Sequence, residues 1–383
     1  MASLTKPTVG LVAPPYIPIR RQIDGYGGTE RVVAELAIAL IRRGNEVTLV
    51  APEGSDIPGA RIVSTGKALW SNNYTLTDRD DREATEATLS AAHVVSRFTD
   101  LIHFHIDEGL ADNRFEGKPC VITLHDGKSV FNAVRQHSYK VRNGRSIVPI
   151  SEDQRLMLMN MLPAGVQISV VYNGLDPNNF EYSETVGNHL LFVGRVAPEK
   201  ALHLALDAAY CSKTRIVVIY RMPLNNESDQ CAQNDWMYYK EEIEPRLKLY
   251  ARFVHLIEDP PRPVIIRYMS SALATIGLSG APPSSWREPF GLFAIESMAS
   301  GTPVIAYKKG GPAEIIQHGV SGFLVEAADE RGARAETVEY IRRVREAGPS
   351  MRIDARSRVV DKFTAERMAE QYERVYKRAM RKG

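Results

Sequence analysis

Long apolar runs are missing from this chain, and none reaches the roughly 20 residues that a membrane helix needs. Its first eight residues are mostly polar, which predicts no signal peptide. The three cysteines (120, 211 and 231) are odd in number and lack the spacing of a metal site, which favours reduced thiols. These absences predict a soluble, cytoplasmic protein, with peripheral membrane contact left as an open alternative.

Charge and glycine patterns exclude further classes of protein. The net charge is only +2, so we expect no nucleic-acid partner. The dinucleotide fingerprint G-x-G-x-x-G is absent from the first strand-to-helix junction, which counts against a nicotinamide-dependent enzyme. What is present is a chain of 383 residues, 44% hydrophobic and 25% charged, which is enough for two globular domains.

Short apolar runs of β type alternate with helical patterns along the whole chain. Before residue 177 they predict strands at Val9–Ala13, Glu46–Ala51, Asp100–His105, Val121–Leu124, Ile147–Ile150 and Ser169–Tyr172. After a polar interval at 177–188 the predicted strands are Leu190–Val193, Arg215–Tyr220, Phe253–Leu256, Ala274–Gly277, Pro303–Ala306 and Gly322–Val325.

This alternation predicts an α/β protein, because strands buried on both faces and separated by helices form parallel sheets covered on each side. Since the pattern restarts, we predict two Rossmann-like, doubly wound domains, at 1–180 and 181–363. A closing helix at 364–383 is expected to pack back on the first domain. Ligands of such sheets bind beyond the carboxyl ends of the strands, so we expect a site in a cleft between the two domains.

One stretch, R-E-P-F-G-L-F-A-I-E-S-M-A-S-G, places two glutamates around a Pro-Phe-Gly turn. Pro289 disfavours a helical Glu288, which is therefore expected in extended backbone. Gly291 permits a tight turn into a helix at Leu292–Ser300, on which Glu296 lies. A helix N-terminus attracts anions, whereas flanking carboxylates suit sugar hydroxyls. The stretch predicts a ligand that is part phosphate and part polyol, such as a nucleotide sugar.

A second stretch, G-R-V-A-P-E-K, directly follows the predicted strand Leu190–Val193. Gly194 is expected to let the chain leave the strand sharply, with Arg195 and Lys200 held at its carboxyl end. Arginine offers a planar fork and lysine a point charge, a pair that suits a diphosphate. The alternative is a solvated basic loop that pairs with Glu199. The glutamate stretch in the same predicted domain favours the diphosphate.

The predicted first domain contains a glycine and several histidines that are candidates for ligand binding. Gly28 belongs to a Gly-Gly pair before a helix start, where backbone can approach a ligand closely. His125 ends a predicted strand, where ligands bind in such folds, although ordering of the loop is the alternative role. His103 and His105 alternate on another strand, but no third ligand at a telling spacing follows. We therefore predict no metal site.

Taken in order, these blocks resemble the large retaining glycosyltransferase family 4, whose members use sugar nucleotides and have the two-domain GT-B architecture. The resemblance covers nearly the whole chain. It runs through G-G-T-E-R at 27–31, T-L-H-D at 123–126, S-E at 151–152, V-Y-N-G-L-D at 171–176, F-V-G-R-V-A-P-E-K at 192–200, E-I-E-P-R-L at 242–247, E-P-F-G-L-x-x-x-E at 288–296 and the block at 301–325. The joint order and spacing make the match specific.

The resemblance implies a role for each matching position. Arg195 and Lys200 would bind the donor diphosphate and stabilise its charge as the nucleotide leaves. Glu296 would hold the ribose hydroxyls, and Glu288 would bind hydroxyls of the transferred sugar. The remaining positions would line the donor and acceptor pockets: backbone groups of Phe290, Gly291 and Leu292, Gly28 from the other domain, and His125 at the sugar or the acceptor.

The resemblance also implies the reaction and its partners. Two cations would take the role of a magnesium ion, so no metal or other cofactor is expected. The enzyme would be a hexosyltransferase, monomeric or homodimeric, with a nucleotide-sugar donor and a carbohydrate, lipid-linked or small-molecule acceptor. Retention is usually assigned to same-face attack, with Glu288 as a nucleophile the minority alternative. A GT-B sugar-nucleotide epimerase and a non-catalytic sugar-nucleotide-binding protein are the other candidate functions.

Several positions depart from the family pattern. Ala201 stands where a glycine often follows the lysine. The chain reads Tyr220-Arg221-Met222-Pro223 where the family usually has a glycine-rich turn, so Arg221 is a further candidate for a phosphate contact. None of these departures removes a charged group from the predicted site, and we expect an active enzyme.

Overall fold

The structure is a computed structural model that describes residues 6–23, 27–70, 78–110, 112–125, 145–162, 167–223 and 230–381. These residues form two compact units. Unit 1 contains the described residues up to Leu175 together with 364–381, and unit 2 contains those of 176–363. No helix in the described ranges has the length and apolar character to cross a membrane.

Strands and helices alternate along most of the described residues. The strands are β1 (Thr8–Val12), β2 (Glu46–Ala51), β3 (Arg61–Ser64), β4 (Leu101–Phe104), β5 (Cys120–Leu124), β6 (Arg145–Pro149), β7 (Gln167–Ile168), β8 (His189–Arg195), β9 (Arg215–Arg221), β10 (Val254–Glu258), β11 (Ala274–Gly277), β12 (Val304–Tyr307) and β13 (Gly322–Val325). The helices are α1 (Gly28–Arg42), α2 (Asp78–Ser96), α3 (Glu152–Met159), α4 (Leu202–Cys211), α5 (Gln230–Tyr238), α6 (Glu244–Leu249), α7 (Arg262–Ser271), α8 (Leu292–Ala299), α9 (Pro312–Ile315), α10 (Glu330–Ala347), α11 (Pro349–Lys362) and α12 (Ala365–Met380).

Each unit is built on one parallel sheet. The strand order is β3-β2-β1-β4-β5-β6-β7 in unit 1 and β10-β9-β8-β11-β12-β13 in unit 2. Both orders reverse at one point, between β1 and β4 in unit 1 and between β8 and β11 in unit 2. Loops that leave the strands at such a point form the usual ligand site of a doubly wound sheet. The predicted α/β fold with two doubly wound parallel sheets is confirmed.

The central strands are apolar because helices cover both of their faces. In unit 1, Leu11 of β1 and Ile102 of β4 are fully buried, and in unit 2 so is Leu190 of β8. A strand buried on both faces has no solvent side for polar residues to occupy, which explains continuous rather than alternating apolar runs. In unit 2, the buried strands hold in place the loops that carry Lys200 and Glu288.

Two local predictions were wrong, and one strand was missed. Ser169–Tyr172 is not a strand; β7 comprises only the two residues before it, and Ser169 and Val171 then donate single hydrogen bonds to β6 without continuing the ladder. Gly194 is not a strand exit, because β8 continues through Arg195, which is in register with Arg221 of β9. The edge strand β3 was missed, since its four residues are half-exposed and form no apolar run.

The closing helix α12 belongs to unit 1 and buries Tyr372 and Tyr376 completely. It also carries a shielded carboxylate, Glu373, which accepts hydrogen bonds from Lys6 (2.8 Å), Arg43 (2.9 Å) and Asn45 (2.8 Å). Burial opposes its ionisation, but these hydrogen bonds lower the pKa of Glu373 to about 2. The helix is therefore tied to unit 1 by both apolar and ionic contacts.

Arg352 of α11 holds the carboxyl end of α7 in unit 2. Its buried guanidinium donates to the carbonyl oxygens of Ser270 (2.6 Å), Ala272 (2.7 Å) and Ser183 (2.8 Å). Burial lowers the pKa of Arg352 to about 10. Carbonyl groups at a helix end lack intrahelical donors, so this side chain satisfies groups that would otherwise be orphaned. It thereby fixes α7, whose first residue takes part in the site below.

Candidate active site

The loops after β8 and β11 leave neighbouring strands at the point where the strand order of unit 2 reverses. β8 pairs with β11 on one side and with β9 on the other. The loop after β8 forms a short 3-10 turn, Pro198–Lys200, and the loop after β11 carries Glu288. Two segments that are distant in sequence therefore meet where doubly wound sheets bind ligands.

Lys200 and Glu288 form an ion pair at this point. Lys200 Nζ donates to Glu288 Oε2 over 2.6 Å, and both side chains are mostly but not fully buried. Lys200, which the sequence assigns to a diphosphate, is therefore in contact with Glu288, which it assigns to a sugar. An ammonium held by a carboxylate is oriented before any anion arrives, and preorganisation of this kind makes a charged group effective.

The backbone of Glu288 is pinned against the Gly310-Gly311 pair. Glu288 forms an isolated parallel bridge with Gly310, and Gly311 N donates to Glu288 O over 2.8 Å. Gly310 has φ +69°, and a Cβ on it would lie 2.2 Å from Glu288 O. Only glycine fits there, because a side chain would collide with backbone. Glu288 is extended, as Pro289 predicts.

The turn that follows Glu288 leads directly into α8. Gly291 is the N-cap of α8 with φ +95°, a left-handed conformation that glycine adopts without strain, and no side chain caps the helix. Leu292 is the first helical residue. The Phe290 ring is buried and lies 6.2 Å, nearly edge-on, from the ring of Phe363. The side chain of Phe290 therefore belongs to the core, whereas the helix start lies next to Glu288 in the chain and offers uncapped N–H groups.

Arg195, at the last position of β8, is held between two carboxylates. Its guanidinium donates to Asp235 Oδ2 of α5 over 2.9 Å and to Glu199 Oε1 over 2.8 Å. The pair with Glu199 is the one expected under the alternative of a basic loop. Asp235 adds a second, more buried partner that holds the fork from the other side. A planar guanidinium oriented in this way is suited to a bidentate anion.

Glu296 lies on the second turn of α8 and faces Arg262, the first residue of α7. Arg262 Nη2 lies 2.7 Å from Glu296 Oε1, and Arg262 Nη1 lies 3.2 Å from Oε2. The two side chains are only 11% and 8% exposed, and the guanidinium lies over the Phe180 ring at 5.3 Å. This is a forked, buried ion pair.

Gly28 and His125 lie in unit 1. Gly28 begins α1, and its N-cap Gly27 has φ +145°, a value that side chains rarely tolerate. His125 follows β5 and its Nε2 lies 2.7 Å from Nδ1 of His105, which follows β4. Burial lowers the pKa of His125 to about 4. His125 is therefore a neutral imidazole at physiological pH.

His103 has a structural role. Its Nδ1 lies 2.8 Å from the Tyr376 hydroxyl and its Nε2 lies 2.7 Å from Thr123 Oγ1. Both ring nitrogens are engaged, so His103 offers no lone pair to a metal ion. Within the described ranges, no group of three or more histidine, cysteine or acidic residues has a metal-binding arrangement. Metal independence of the reaction stays a prediction.

Comparison with known proteins identifies the chain. The model of Glycosyltransferase Family 4 matches residues 26–179, and that of Glycosyl transferases group 1 matches residues 239–356. The chain is a glycosyltransferase, and both matches are consistent with membership of family 4. Among curated relatives, N-acetyl-alpha-D-glucosaminyl L-malate synthase of Bacillus anthracis is 37% identical over 92 residues, but only 24% of each chain is covered. The glycogen synthase of Mycobacterium tuberculosis is 24% identical over 81% of each chain.

Solved structures show the same GT-B fold as this glycosyltransferase. Sucrose-phosphate synthase from Thermosynechococcus elongatus has a TM-score of 0.76 at 17% identity, covering 99% of this chain and 100% of its own. HepE of Anabaena, solved in complex with UDP and glucose, has a TM-score of 0.68 at 18% identity, covering 97% and 100%. At such low identity these likenesses establish the fold alone.

The glycosyltransferase accommodates Ala201 at a backbone position made for glycine. Ala201 has φ +50° and ψ +43°, the left-handed region, and it joins the 3-10 turn of Lys200 to α4. A Cβ in this region approaches the following carbonyl oxygen, which strains the backbone. The strain explains why the family often has glycine here, and it lies immediately beside a candidate site residue.

Replacing Ala201 by glycine should therefore stabilise the enzyme, raising the free energy of unfolding by about 0.5–1 kcal/mol. Urea denaturation followed by circular dichroism measures the change. The matched control is Ala335→Gly, at an exposed position inside α10, which should lower stability by about 1 kcal/mol because glycine weakens a helix interior. A loss of stability in Ala201→Gly would show that burial of the Ala201 methyl outweighs the backbone strain.

Of the predicted site residues, the structure brings Lys200 and Glu288 into direct contact. Arg195 and Glu296 are each bound to a partner that no motif indicated. These partners are Asp235 and Arg262. Both stand outside the motifs, and a single charged residue on a helix gives no periodic signal that could have marked them.

Proposed function

We propose that this glycosyltransferase transfers a hexose from a nucleoside-diphosphate sugar to an acceptor hydroxyl, with retention of configuration and without a metal ion. The observation that carries the proposal is the 2.6 Å pair of Lys200 and Glu288 at the strand-order reversal of unit 2. It joins a phosphate-binding cation to a hydroxyl-binding carboxylate beside an uncapped helix start. A ligand with both a diphosphate and a sugar satisfies both groups.

The diphosphate is the leaving group in this reaction, and its charge grows as the sugar departs. Lys200 and Arg195 supply two cations for that charge, in the role that a magnesium ion has elsewhere. Each is held by carboxylates in the free enzyme, so phosphate oxygens replace existing partners rather than ordering loose side chains. Glu296 is assigned to the ribose hydroxyls and His125 to the sugar or acceptor.

Same-face attack fits these groups better than a covalent intermediate. In same-face attack the acceptor oxygen forms its bond to the anomeric carbon on the side where the bond to the diphosphate breaks, and a donor phosphate oxygen takes the acceptor proton. Glu288 is the motif glutamate assigned to the transferred sugar, and its Oε2 is bound to Lys200. A carboxylate held in this way serves to bind hydroxyls and to orient the cation.

The likeness to HepE supports a nucleotide-sugar donor, since that protein is solved with UDP and with UDP-glucose. The family favours transfer over the two other functions considered, a sugar-nucleotide epimerase and a non-catalytic binding protein. A carbohydrate, lipid-linked or small-molecule acceptor and a cytoplasmic location complete the proposal.

A donor screen tests the proposal directly. Purified enzyme is incubated with UDP-, GDP- and ADP-sugars in the presence of EDTA, and thermal shift and release of nucleoside diphosphate are measured. We expect at least one donor to raise the unfolding temperature and to be hydrolysed slowly. Once an acceptor is found, NMR of the product should show the anomeric configuration of the donor. Release of epimerised sugar nucleotide, or silence with every donor, would contradict the proposal.

A further inference from the structure

Two histidines at adjacent strand ends of unit 1 form a hydrogen-bonded pair that the proposed function leaves unexplained. His105 follows β4 and His125 follows β5, and these strands are direct neighbours. His105 Nδ1 lies 2.7 Å from His125 Nε2, and the two ring planes are nearly parallel, with centroids 5.0 Å apart. One of the two nitrogens must carry the proton that the other accepts.

The surroundings of His105 Nε2 decide whether His105 or His125 carries the shared proton. His105 is 4% exposed, and its Nε2 is buried with no hydrogen-bond partner among the described residues. A proton on Nε2 would leave a buried N–H without an acceptor, which native structures rarely tolerate, whereas an unused lone pair costs less. The proton of His105 therefore belongs on Nδ1, from which it is donated to Nε2 of His125.

This assignment fixes the state of His125. A neutral imidazole carries one proton, and since Nε2 of His125 accepts, the proton must be on its Nδ1. The neighbouring groups are consistent with a neutral His125. Burial also lowers the pKa of His103 and His105, so neither is an imidazolium. His125 is partly exposed, so its Nδ1–H is the group available to a ligand.

Helix α12 packs against the three histidine rings from the side of His103. The His103 ring lies 4.3 Å from the His105 ring and 4.6 Å from that of Tyr372. Thr123 Oγ1 bonds both His103 Nε2 and the Tyr372 hydroxyl, the latter over 2.7 Å. His105 is thus packed against a fully hydrogen-bonded layer and cannot readily turn its ring.

We propose that His105 is a positioning residue, which holds His125 in the neutral tautomer whose Nδ1–H donates a hydrogen bond to a hydroxyl oxygen of the bound sugar. This inference rests on the proposed function, because it assigns His125 to the sugar or the acceptor. It adds the direction of the hydrogen bond and the residue that imposes it. His125 then acts as a donor and not as a general base.

Asparagine and glutamine distinguish the two possible donors, because the asparagine amide nitrogen takes the place of imidazole Nδ1 and that of glutamine takes the place of Nε2. We expect His125→Gln to have kcat/KM at least about tenfold below that of His125→Asn, the scale of one neutral hydrogen bond. Likewise, the kcat/KM of His105→Phe should be at least about tenfold below that of His105→Asn, because asparagine keeps a donor toward His125. His255→Gln, at an exposed position of β10, serves as the control for the handling of variants.

The tautomers can also be read without any activity assay. Nitrogen-15 NMR of histidine-labelled wild-type enzyme should show both His105 and His125 protonated on Nδ1, and His105→Phe should release His125 into a mixture of tautomers. A wild-type His125 protonated on Nε2, or a glutamine variant at least as active as the asparagine variant, would overturn the inference. If no sugar nucleotide supports turnover, the proposed function fails while the tautomers remain measurable.

Discussion

Lys200→Ala should lower turnover at least ~100-fold, the scale of losing one preorganised charge partner of a developing anion. The side chain is held 2.6 Å from Glu288, so the free enzyme already has the ammonium in place. Its removal takes away the cation and leaves the Glu288 carboxylate unpaired beside the incoming phosphates. The rate of donor hydrolysis at saturating donor measures the effect.

Two further variants separate the charge from the fold. Lys240→Ala removes an exposed lysine of the same unit that also pairs with a glutamate at 2.7 Å, and it should leave turnover unchanged. The double variant Lys200→Ala/Glu288→Gln should bind nucleoside diphosphate more tightly than Lys200→Ala, because the unpaired carboxylate is gone. It should not recover turnover. Unchanged turnover in Lys200→Ala alone would refute the diphosphate assignment.

The glutamate stretch could be predicted in detail because its geometry is set by neighbours in the chain. Pro289 restricts the residue before it, and Gly291 is needed for a left-handed helix start. These constraints act over one or two residues, so they can be read from the sequence. The extended Glu288 and the helix at 292–299 follow from them directly.

The partners of the charged residues could not be predicted in the same way. Asp235 reaches Arg195 across 40 positions, and Arg262 reaches Glu296 across 34. Such pairs depend on how α5 and α7 pack against the sheet, which is decided by tertiary contacts and not by local pattern. The extension of β8 through Gly194 has a similar cause, since pairing with β9 outweighs the tendency of glycine to end a strand.

The histidines show a third case. His103 and His105 are two residues apart, so a strand places them on the same face, and their rings lie 4.3 Å apart. The sequence could not show the hydrogen-bond partners of these rings, because they come from other elements: Thr123 and Tyr376 for His103, and His125 for His105. These tertiary contacts turn an apparent metal fragment into a packed layer behind His125.

Arg262→Met should destabilise the enzyme by about 3–5 kcal/mol, the cost of leaving one member of a buried ion pair without its partner. Glu296 would keep a carboxylate that is only 8% exposed and would lose the arginine fork that faces it. Urea denaturation measures the loss. Arg342→Met, which removes an arginine from exposed pairs with Glu339 and Glu346 on α10, should leave the unfolding midpoint unchanged.

The double variant Arg262→Met/Glu296→Leu decides whether this pair serves stability or donor binding. Apolar side chains of similar size can replace a buried ion pair with little loss, so the double variant should recover most of the stability lost in Arg262→Met. If Glu296 holds the ribose hydroxyls, the KM for the donor should stay raised about tenfold or more, since the hydrogen bonds to the ribose are still missing. Recovery of wild-type donor affinity together with stability would show that Arg262 and Glu296 only join α7 to α8.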